Sequence, residues 1–407
     1  MQIKIGSSVG VIILLVLATG SQFLKQSWLA GVFSPGVYAG WATAILASQL
    51  LSSFGGLGFH NYSARRAALY ESRQKFFLMN SLMSKQYVVY AYLLPISIPI
   101  IYYILAKPSF MLFGCMLIYS LGNIFISTST TAIYVRSSKE FAKIQALRGV
   151  GGCFLAVITC YATGSLLLTL LAESLLIIVL GSLILKREKF KFKNNSLRLG
   201  LKCNELIPFF LPVVLTTVAV SLSRLIAVDV LNDELLGVFY FMSLIAAVGI
   251  MFQYGVAVLV GPIITSQLSA RPAHEIENFV LKIWMGIFIL ALLVLLLGNI
   301  SLPYIINYFY PNYIAGLVLV SPFVVLCAAK MCDVWGIYFL LGGLERFLYV
   351  PSLVSILIVI FLYFYLNNKD GLELADMKFF IFAESIAIFF VPLVLISFLK
   401  IKRIVVA

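Results

Sequence analysis

The segment LLLTLLAESLLIIVLGSLILKREKFKFKNNSLRLGLK, residues 166–202, joins a long apolar run to the longest basic stretch of the chain. Its apolar part, residues 166–185, has the length of a membrane-spanning helix, which needs about 20 apolar residues. The seven Lys and Arg residues over 186–202 are typical of a cytoplasmic loop. Because apolar runs and polar gaps alternate in this way along the whole chain, the sequence predicts a polytopic membrane protein.

The positions of the basic residues predict the number of spans and their direction. Of the 29 Lys and Arg residues, 23 lie at the chain ends or in every second gap between apolar runs. Lys107, Lys369 and Lys378 lie in the opposite gaps. Since cytoplasmic loops of membrane proteins carry an excess of Lys and Arg, we expect twelve spans with both termini in the cytoplasm.

The composition leaves little room for a soluble domain. The chain is 62% hydrophobic and 11% charged, against about 25% charged residues in soluble proteins. The apolar runs are too long for barrel strands and do not alternate, so an all-α fold is predicted, in which each helix satisfies its own backbone. The net charge of +13 lies in short loops, where we expect contact with anionic lipids and not with nucleic acid.

Several kinds of catalytic site are missing from the sequence. There is no GxxxxGK[ST] loop for ATP and no HExxH motif, and the six cysteines show no metal-ligand spacing. We therefore expect a protein that is not an enzyme and needs neither a cofactor nor a metal. The first apolar run continues to about Val32 without a small-residue cleavage site, so it is interpreted as a span and not as a cleaved signal peptide.

The two halves of the chain resemble each other. Gly-Val-Tyr at 36–38 opens the second span and Gly-Val-Phe at 237–239 opens the eighth, while Ser-Ala-Arg occurs at 63–65 and again at 269–271. The matches have the same order and nearly the same offset, about half the chain. Six spans in each half make the halves parallel repeats, related by an axis along the membrane normal, and the substrate path is expected between them.

This repeat predicts the domain organisation. Residues 1–185 form an N-terminal six-helix bundle, residues 186–206 form a basic cytoplasmic linker, and residues 207–407 form a C-terminal six-helix bundle.

Three cations inside the apolar runs are candidate substrate contacts. Lys25 and Arg224 each lie about 17 residues into the first span of their half, and Lys330 lies about 16 residues into the tenth span. A charged side chain at a helix centre costs about 2.5–3.5 kcal/mol on insertion scales, so it normally faces a cavity or a partner. We therefore predict an electropositive cavity for an anionic substrate, with phosphate or pyrophosphate as the natural headgroup.

Ion pairing is the alternative role for these cations. Asp333 follows Lys330 at i+3 on the same helix face, so a local pair accounts for Lys330 as well as a substrate site does. Asp229, five residues after Arg224, is poorly placed for pairing, and Lys25 has no acid in its own span.

Three deep acids, Glu173, Asp333 and Glu384, are candidates for ion coupling. A carboxyl group buried in a membrane can exchange protons near the working pH, as coupling to a proton or sodium gradient requires. Helix–helix hydrogen bonding or a salt bridge is the alternative role for each of them.

The layout as a whole resembles that of the Wzx-type polysaccharide flippases, which include O-antigen and capsule transporters. These belong to the multidrug/oligosaccharidyl-lipid/polysaccharide (MOP) exporter superfamily. The resemblance rests on the twelve spans, the basic central linker, the cations in spans one and seven and the Gly-Val-aromatic openings of spans two and eight. It implies a V-shaped pair of six-helix bundles of the MATE type, with Lys25, Arg224 and Lys330 lining the cavity.

The resemblance also implies a function. Such a protein flips undecaprenyl-pyrophosphate-linked oligosaccharide units from the inner to the outer leaflet of a bacterial cytoplasmic membrane by alternating access. Its partners would be that lipid-linked glycan, anionic lipids, and a polysaccharide polymerase with its chain-length regulator.

Two other functions stay open at this point. The first is a cation-coupled multidrug antiporter of the same superfamily, which requires an anionic pocket. The second is a membrane-embedded polysaccharide polymerase or acyltransferase. A polymerase should have a long outer loop and an acyltransferase a membrane His beside an acid, and the sequence has neither.

Overall fold

The computed structural model describes residues 5–56, 76–105, 108–188, 203–268, 273–341, 349–367 and 372–406, with a few single positions between 59 and 70 and at 347. Within these ranges the regular structure is helical, without a strand. The helices are α1 (Ile5–Val32), α2 (Pro35–Gly56), α3 (Phe76–Ile104), α4 (Phe110–Arg136), α5 (Ser138–Thr163), α6 (Leu166–Arg187), α7 (Cys203–Val230), α8 (Asp233–Leu268), α9 (Ala273–Phe309), α10 (Val320–Met331), α11 (Val334–Leu341), α12 (Tyr349–Asn367) and α13 (Met377–Val406). Two 3-10 segments, Pro311–Leu319 and Leu374–Asp376, precede α10 and α13.

The helices have the length and composition of membrane spans. Among the described residues, ten helical stretches are long and apolar enough to cross a membrane. They correspond to the third to the twelfth predicted span, and the first two predicted spans are the helices α1 and α2. The prediction of an all-α, multi-pass membrane protein is confirmed. The central linker lies mostly outside the described residues, since α6 ends at Arg187 and α7 begins at Cys203.

The chain forms two compact units. The first unit contains Met1–Leu29 and Gly40–Thr217, and the second contains Ala30–Ala39 and Val218–Ala407. Residues 30–39, which connect α1 to α2, therefore belong to the second unit. The predicted halves are set by the basic stretch between two groups of six spans, and their boundaries at 185 and 207 stay a prediction.

Short turns determine how α4, α5 and α6 of the first unit pack. Ser137 alone separates α4 from α5, and its side chain accepts a hydrogen bond from the Glu140 amide, which caps α5. Gly164 and Ser165 separate α5 from α6, where Gly164 takes the left-handed conformation that favours glycine (φ 60°). Such short turns make the three helices antiparallel neighbours, and α4 packs extensively against α6.

The start of α5 corrects one predicted boundary. The fifth span was expected over 149–164, after a basic inner loop that included Arg148. The helix begins eleven residues earlier, at Ser138, because the Ser137 cap and the charged first turns continue directly into the apolar part. Arg148 is therefore a residue of a membrane helix and not of a loop.

In the second unit, α10 lies at the centre and α9 at the periphery. The span Pro311–Phe339 contains α10 and most of α11, and 67% of its apolar stretch is buried. In the span of α9 the buried share is 17%. Buried side chains of α8, α9, α10 and α11, among them Ile264, Val280 and Trp335, form one apolar cluster. Polar side chains of α10 are consequently surrounded by protein.

Candidate functional site

The predicted site residues of the first unit form a buried ion pair. Lys25 of α1 donates to Glu173 of α6, with the Lys25 Nζ and Glu173 Oε1 atoms 2.5 Å apart. Both side chains are almost fully buried, at 1% and 2% exposure. A candidate substrate contact and a candidate coupling acid thus neutralise each other, although their sequence separation of 148 residues gave no sign of it.

Two neighbours complete the surroundings of this pair. The ring of Trp41 in α2 lies under the ammonium group of Lys25, with 5.3 Å between Nζ and the ring centroid, a favourable cation–π distance. Gly152 of α5 lies against the Glu173 carboxylate, where an added Cβ would come within 3.2 Å of Oε1. The pair therefore joins four helices of the first unit around one small, polar centre.

Arg148, which the hydropathy of the sequence assigns to a loop, extends this polar centre. Arg148 of α5 donates from Nη2 to the side-chain oxygen of Asn123 in α4. The Asn123 amide nitrogen in turn donates to the Ser48 hydroxyl at 3.2 Å and to the Tyr119 carbonyl at 2.9 Å. The charges of Arg148 and Glu173 both act on the buried Tyr119 side chain, so the two sets of contacts lie near each other.

We call the side chains Lys25, Trp41, Ser48, Tyr119, Asn123, Arg148 and Glu173 the first-unit network. Its charged members are two cations and one carboxylate. The Ser137 cap is the sequence signal that could have located Arg148. A predicted helix that began there, and not at residue 149, would have included Arg148 among the cations of the spans.

The second unit also contains a buried ion pair. Lys330 of α10 lies 2.9 Å from Glu384 of α13, measured between Nζ and Oε1, and both side chains are nearly inaccessible, at 6% and 3% exposure. The contact is within ion-pair distance but lacks hydrogen-bond geometry. The ion-pair contact that the structure gives Lys330 is therefore with Glu384 of α13 and not with Asp333.

Asp333 lies where the tenth span is broken. The helix stops at Met331 and restarts at Val334, and Asp333 caps the second part by accepting from the Gly336 amide at 3.1 Å. Its other carboxylate oxygen accepts from Gln253 of α8 at 2.7 Å. Both donors are neutral, so Asp333 is a membrane-embedded acid that forms no ion pair among the described residues.

Arg224, the third predicted cation, lies in α7 and belongs to the second unit. Its charge acts on the buried ring of Tyr38, which makes an edge-to-face contact with Tyr313 at 6.3 Å between centroids. Lys25 and Arg224 lie at matching depth, 21 and 22 residues into α1 and α7. The structure does not bring Lys25, Lys330 and Arg224 into one described cluster.

The two acids of the ion pairs occupy the same position within their helices. Glu173 is the eighth residue of α6 and Glu384 the eighth residue of α13, and these are the last helices of the two halves. The cations come from different helices, from the first helix of one half and from the fourth span of the other.

No protein-family model matches the chain, and no curated protein matches its sequence. Solved structures do match over nearly its full length. A multidrug resistance MATE family transporter of the MOP superfamily, in an inward-facing conformation, superimposes with a TM-score of 0.69 at 13% identity. The match covers 97% of this chain and 98% of that chain. An outward-facing MATE family transporter gives a TM-score of 0.62 at 16% identity, covering 98% and 96%.

The lipid II flippase MurJ, in an inward closed conformation, also superimposes with a TM-score of 0.69, at 15% identity. The match covers 98% of this chain and 88% of that chain. The chain therefore has the fold of MOP superfamily transporters, and the predicted fold class is confirmed. At these identities the similarity establishes the fold alone, so the substrate has to be argued from the residues.

Proposed function

We propose that this protein is a flippase for a lipid-linked oligosaccharide. Its substrate would be an undecaprenyl-pyrophosphate-linked repeat unit of a polysaccharide such as O-antigen or capsule. The protein would move this unit from the inner to the outer leaflet of a bacterial cytoplasmic membrane by alternating access. Both termini would face the cytoplasm, where the basic loops meet anionic lipids.

The observation that carries this proposal is the charge of the first-unit network. Lys25 is paired with Glu173, whereas Arg148 is bound by the neutral amide of Asn123, so the described network carries two cations and one carboxylate within membrane helices. A cation placed there costs several kcal/mol and is normally retained for function. An anionic headgroup is the ligand that such a network attracts, and a diphosphate matches the forked donors of Arg.

In the proposed mechanism the pyrophosphate enters from the inner leaflet and binds the cationic side chains. The sugar follows into a hydrated lumen, and the polyprenyl chain stays in the lipid. A polysaccharide polymerase and a chain-length regulator would act on the unit after it reaches the outer leaflet. Such a flippase performs no covalent chemistry and needs no cofactor.

A second candidate function is cation-coupled multidrug antiport, and two observations favour it. Lys25 and Lys330 are each neutralised by a glutamate, which makes both sites less repulsive to a cationic drug than the sequence predicted. Asp333 accepts from two neutral donors and is a carboxylate without an ion pair among the described residues, as a coupling acid requires. In this function Glu173, Asp333 and Glu384 would couple drug export to an ion gradient.

Reconstitution separates the two functions. The full chain is placed in proteoliposomes with a fluorescent polyprenyl-pyrophosphate oligosaccharide in the inner leaflet, and its appearance outside is followed with a membrane-impermeant lectin or quencher. We expect translocation of the glycan lipid and no ion-dependent accumulation of ethidium. Ethidium transport that is lost in Asp333→Asn, without movement of the glycan lipid, would reverse the assignment.

A further inference from the structure

We infer that Arg148 and Ser48 form a phosphate-binding site within the first unit, held in place by Asn123. Lys25, predicted as the contact, would have a positioning role instead. The identity of the ligand, the diphosphate of a lipid-linked substrate, rests on the proposed function. The existence of a site for phosphate groups rests on the geometry alone.

The Asn123 side chain fixes the site. Its oxygen accepts from Arg148, and its nitrogen donates to Ser48 and to the Tyr119 carbonyl. Because the two ends of one amide are engaged by different partners, the amide cannot flip without losing these contacts. Arg148 and Ser48 therefore contact opposite ends of the same amide group, which brings both side chains beside Asn123.

Both Arg148 and Ser48 have hydrogen-bond donors that are not used by the described contacts. A guanidinium group has five N–H donors, and among the described residues Arg148 uses them only towards Asn123. Ser48 is buried at 7% exposure and accepts from Asn123, while its own hydroxyl hydrogen has no acceptor among the described contacts. A positively charged group with unused donors, beside a buried hydroxyl, is suited to an oxyanion.

A second observation comes from Trp41, seven residues before Ser48 on α2. Seven residues are two helical turns, so both side chains lie on the same face of α2. The Trp41 side chain is fully buried, and its Nε1–H donor has no hydrogen-bond partner among the described residues. Buried donors normally find an acceptor. Trp335 Nε1 of the second unit also lacks one, but Trp41 lies on the helix face that carries Ser48, where a phosphate oxygen would supply the acceptor.

Lys25 is less suited to contact the ligand. The Lys25 ammonium group is fully buried, donates to Glu173 and lies over the ring of Trp41. If Lys25 turned to a ligand, the buried negative charge of Glu173 would lose its partner, which is energetically costly. The one unpartnered acceptor of the network, Glu173 Oε2, lies on the carboxylate that Lys25 holds. Lys25 therefore neutralises Glu173 and keeps that negative charge from competing with a bound anion.

The test measures pyrophosphate binding to the purified full chain in phosphatidylcholine nanodiscs, by equilibrium dialysis with labelled inorganic pyrophosphate. We expect Arg148→Gln to weaken binding about tenfold or more, as the loss of a charged hydrogen bond predicts. Arg148→Lys should retain part of the affinity, and Ser48→Ala should weaken it a few-fold. The matched control is Arg187→Gln, at an exposed Arg of α6 that pairs with Glu140, and its binding should stay within about twofold of the wild type.

Nanodiscs with phosphatidylglycerol distinguish a phospholipid headgroup from a soluble diphosphate. If headgroups compete for the site, they will raise the apparent Kd for pyrophosphate, and Arg148→Gln will remove this difference. The inference is overturned if folded Arg148→Gln binds pyrophosphate like the wild type, or if the wild type binds none at millimolar concentration. Arg148-dependent binding without glycan translocation would contradict the proposed function alone, whereas full translocation by Arg148→Gln would contradict the inference alone.

Discussion

The two buried ion pairs differ although their acids are equivalent. Glu173 in α6 and Glu384 in α13 occupy the same helical position, but the first binds a lysine of the first helix and the second a lysine of the broken tenth span. The first pair is short and hydrogen-bonded, and the second is longer and lacks that geometry. The acid therefore lies at the same place in the last helix of each half, whereas its lysine partner comes from a different helix in each.

The fourth span shows the same asymmetry. In the first unit α4 runs unbroken over 27 residues and carries the neutral Asn123. In the second unit the corresponding span is divided into a 3-10 segment, α10 and α11, and carries the charged Lys330. Discontinuous helices in transporters are typical of binding and coupling positions.

The largest effect should come from removing one partner of a buried pair. Leaving a buried charge without its partner costs about 3–5 kcal/mol, so Lys25→Met and Glu173→Gln should each lower the melting temperature of the purified protein strongly. The double variant should recover most of the loss, because it removes both charges. Thermal unfolding followed by fluorescence measures all three variants.

The same cycle with Lys330→Met and Glu384→Gln sharpens the comparison. The coupling in this pair should be smaller, because its ions are further apart and not hydrogen-bonded. Equal coupling in the two cycles would show that the geometric difference has no energetic consequence. Additive losses in the first cycle would contradict the assignment of Lys25 to Glu173.

An intermediate effect should come from the glycines at which helices approach most closely. An added Cβ at Gly149 would overlap the backbone of Ala18 in α1, and one at Gly249 would overlap the backbone of Cys327 in α10. Forcing extra atoms into such contacts costs about 1–3 kcal/mol. We expect Gly149→Ala and Gly249→Ala to lower the melting temperature, and Gly149→Ala to reduce pyrophosphate binding as well, because Ala18 lies two turns before Lys25.

The matched controls are glycines with open surroundings. Gly114 in α4 and Gly286 in α9 have no atom within 4 Å of an added Cβ. Alanine at these positions should keep or raise the melting temperature, since glycine inside a helix is destabilising by about 0.5–1 kcal/mol. If all four variants change the melting temperature by the same amount, helix propensity determines the effect, and the close approach of the helices at Gly149 and Gly249 does not.

The sequence predicted the fold more completely than the site. The membrane determines how long an apolar run must be and which loops carry basic residues. The helix over 166–185 and most other spans could therefore be located without any knowledge of tertiary contacts. Lys25, Lys330 and Glu173 were identified because a charge in an apolar run is visible. The pairing of these charges depends on how the helices pack. The Lys25–Glu173 and Lys330–Glu384 pairs join residues far apart in the sequence, so their spacing does not predict the contacts.

Arg148 was misplaced for a local reason. The predicted boundary of the fifth span followed hydropathy. Lys139, Glu140 and Lys143 make the first turns of α5 polar, so the span was predicted to begin after them. The cap at Ser137, a serine three residues before a glutamate, was a readable signal for an earlier start. The break at Asp333 had no comparable signal, since the run around it is apolar and contains no proline after Pro322.

The smallest effect should come from that break, and it tests whether the second unit depends on the Asp333 carboxylate. Asp333→Ala removes the cap of α11 and the hydrogen bond from Gln253, which together should cost about 1–2 kcal/mol. Asp333→Asn keeps an acceptor for the Gly336 amide, so its melting temperature should lie between those of Asp333→Ala and the wild type. Ser301→Ala, which removes an exposed hydroxyl bonded to the Leu297 carbonyl of α9, serves as the control. If Asp333→Ala melts like this control, apolar packing around α10 and not the carboxylate maintains the break, and the contrast with α4 loses its electrostatic explanation.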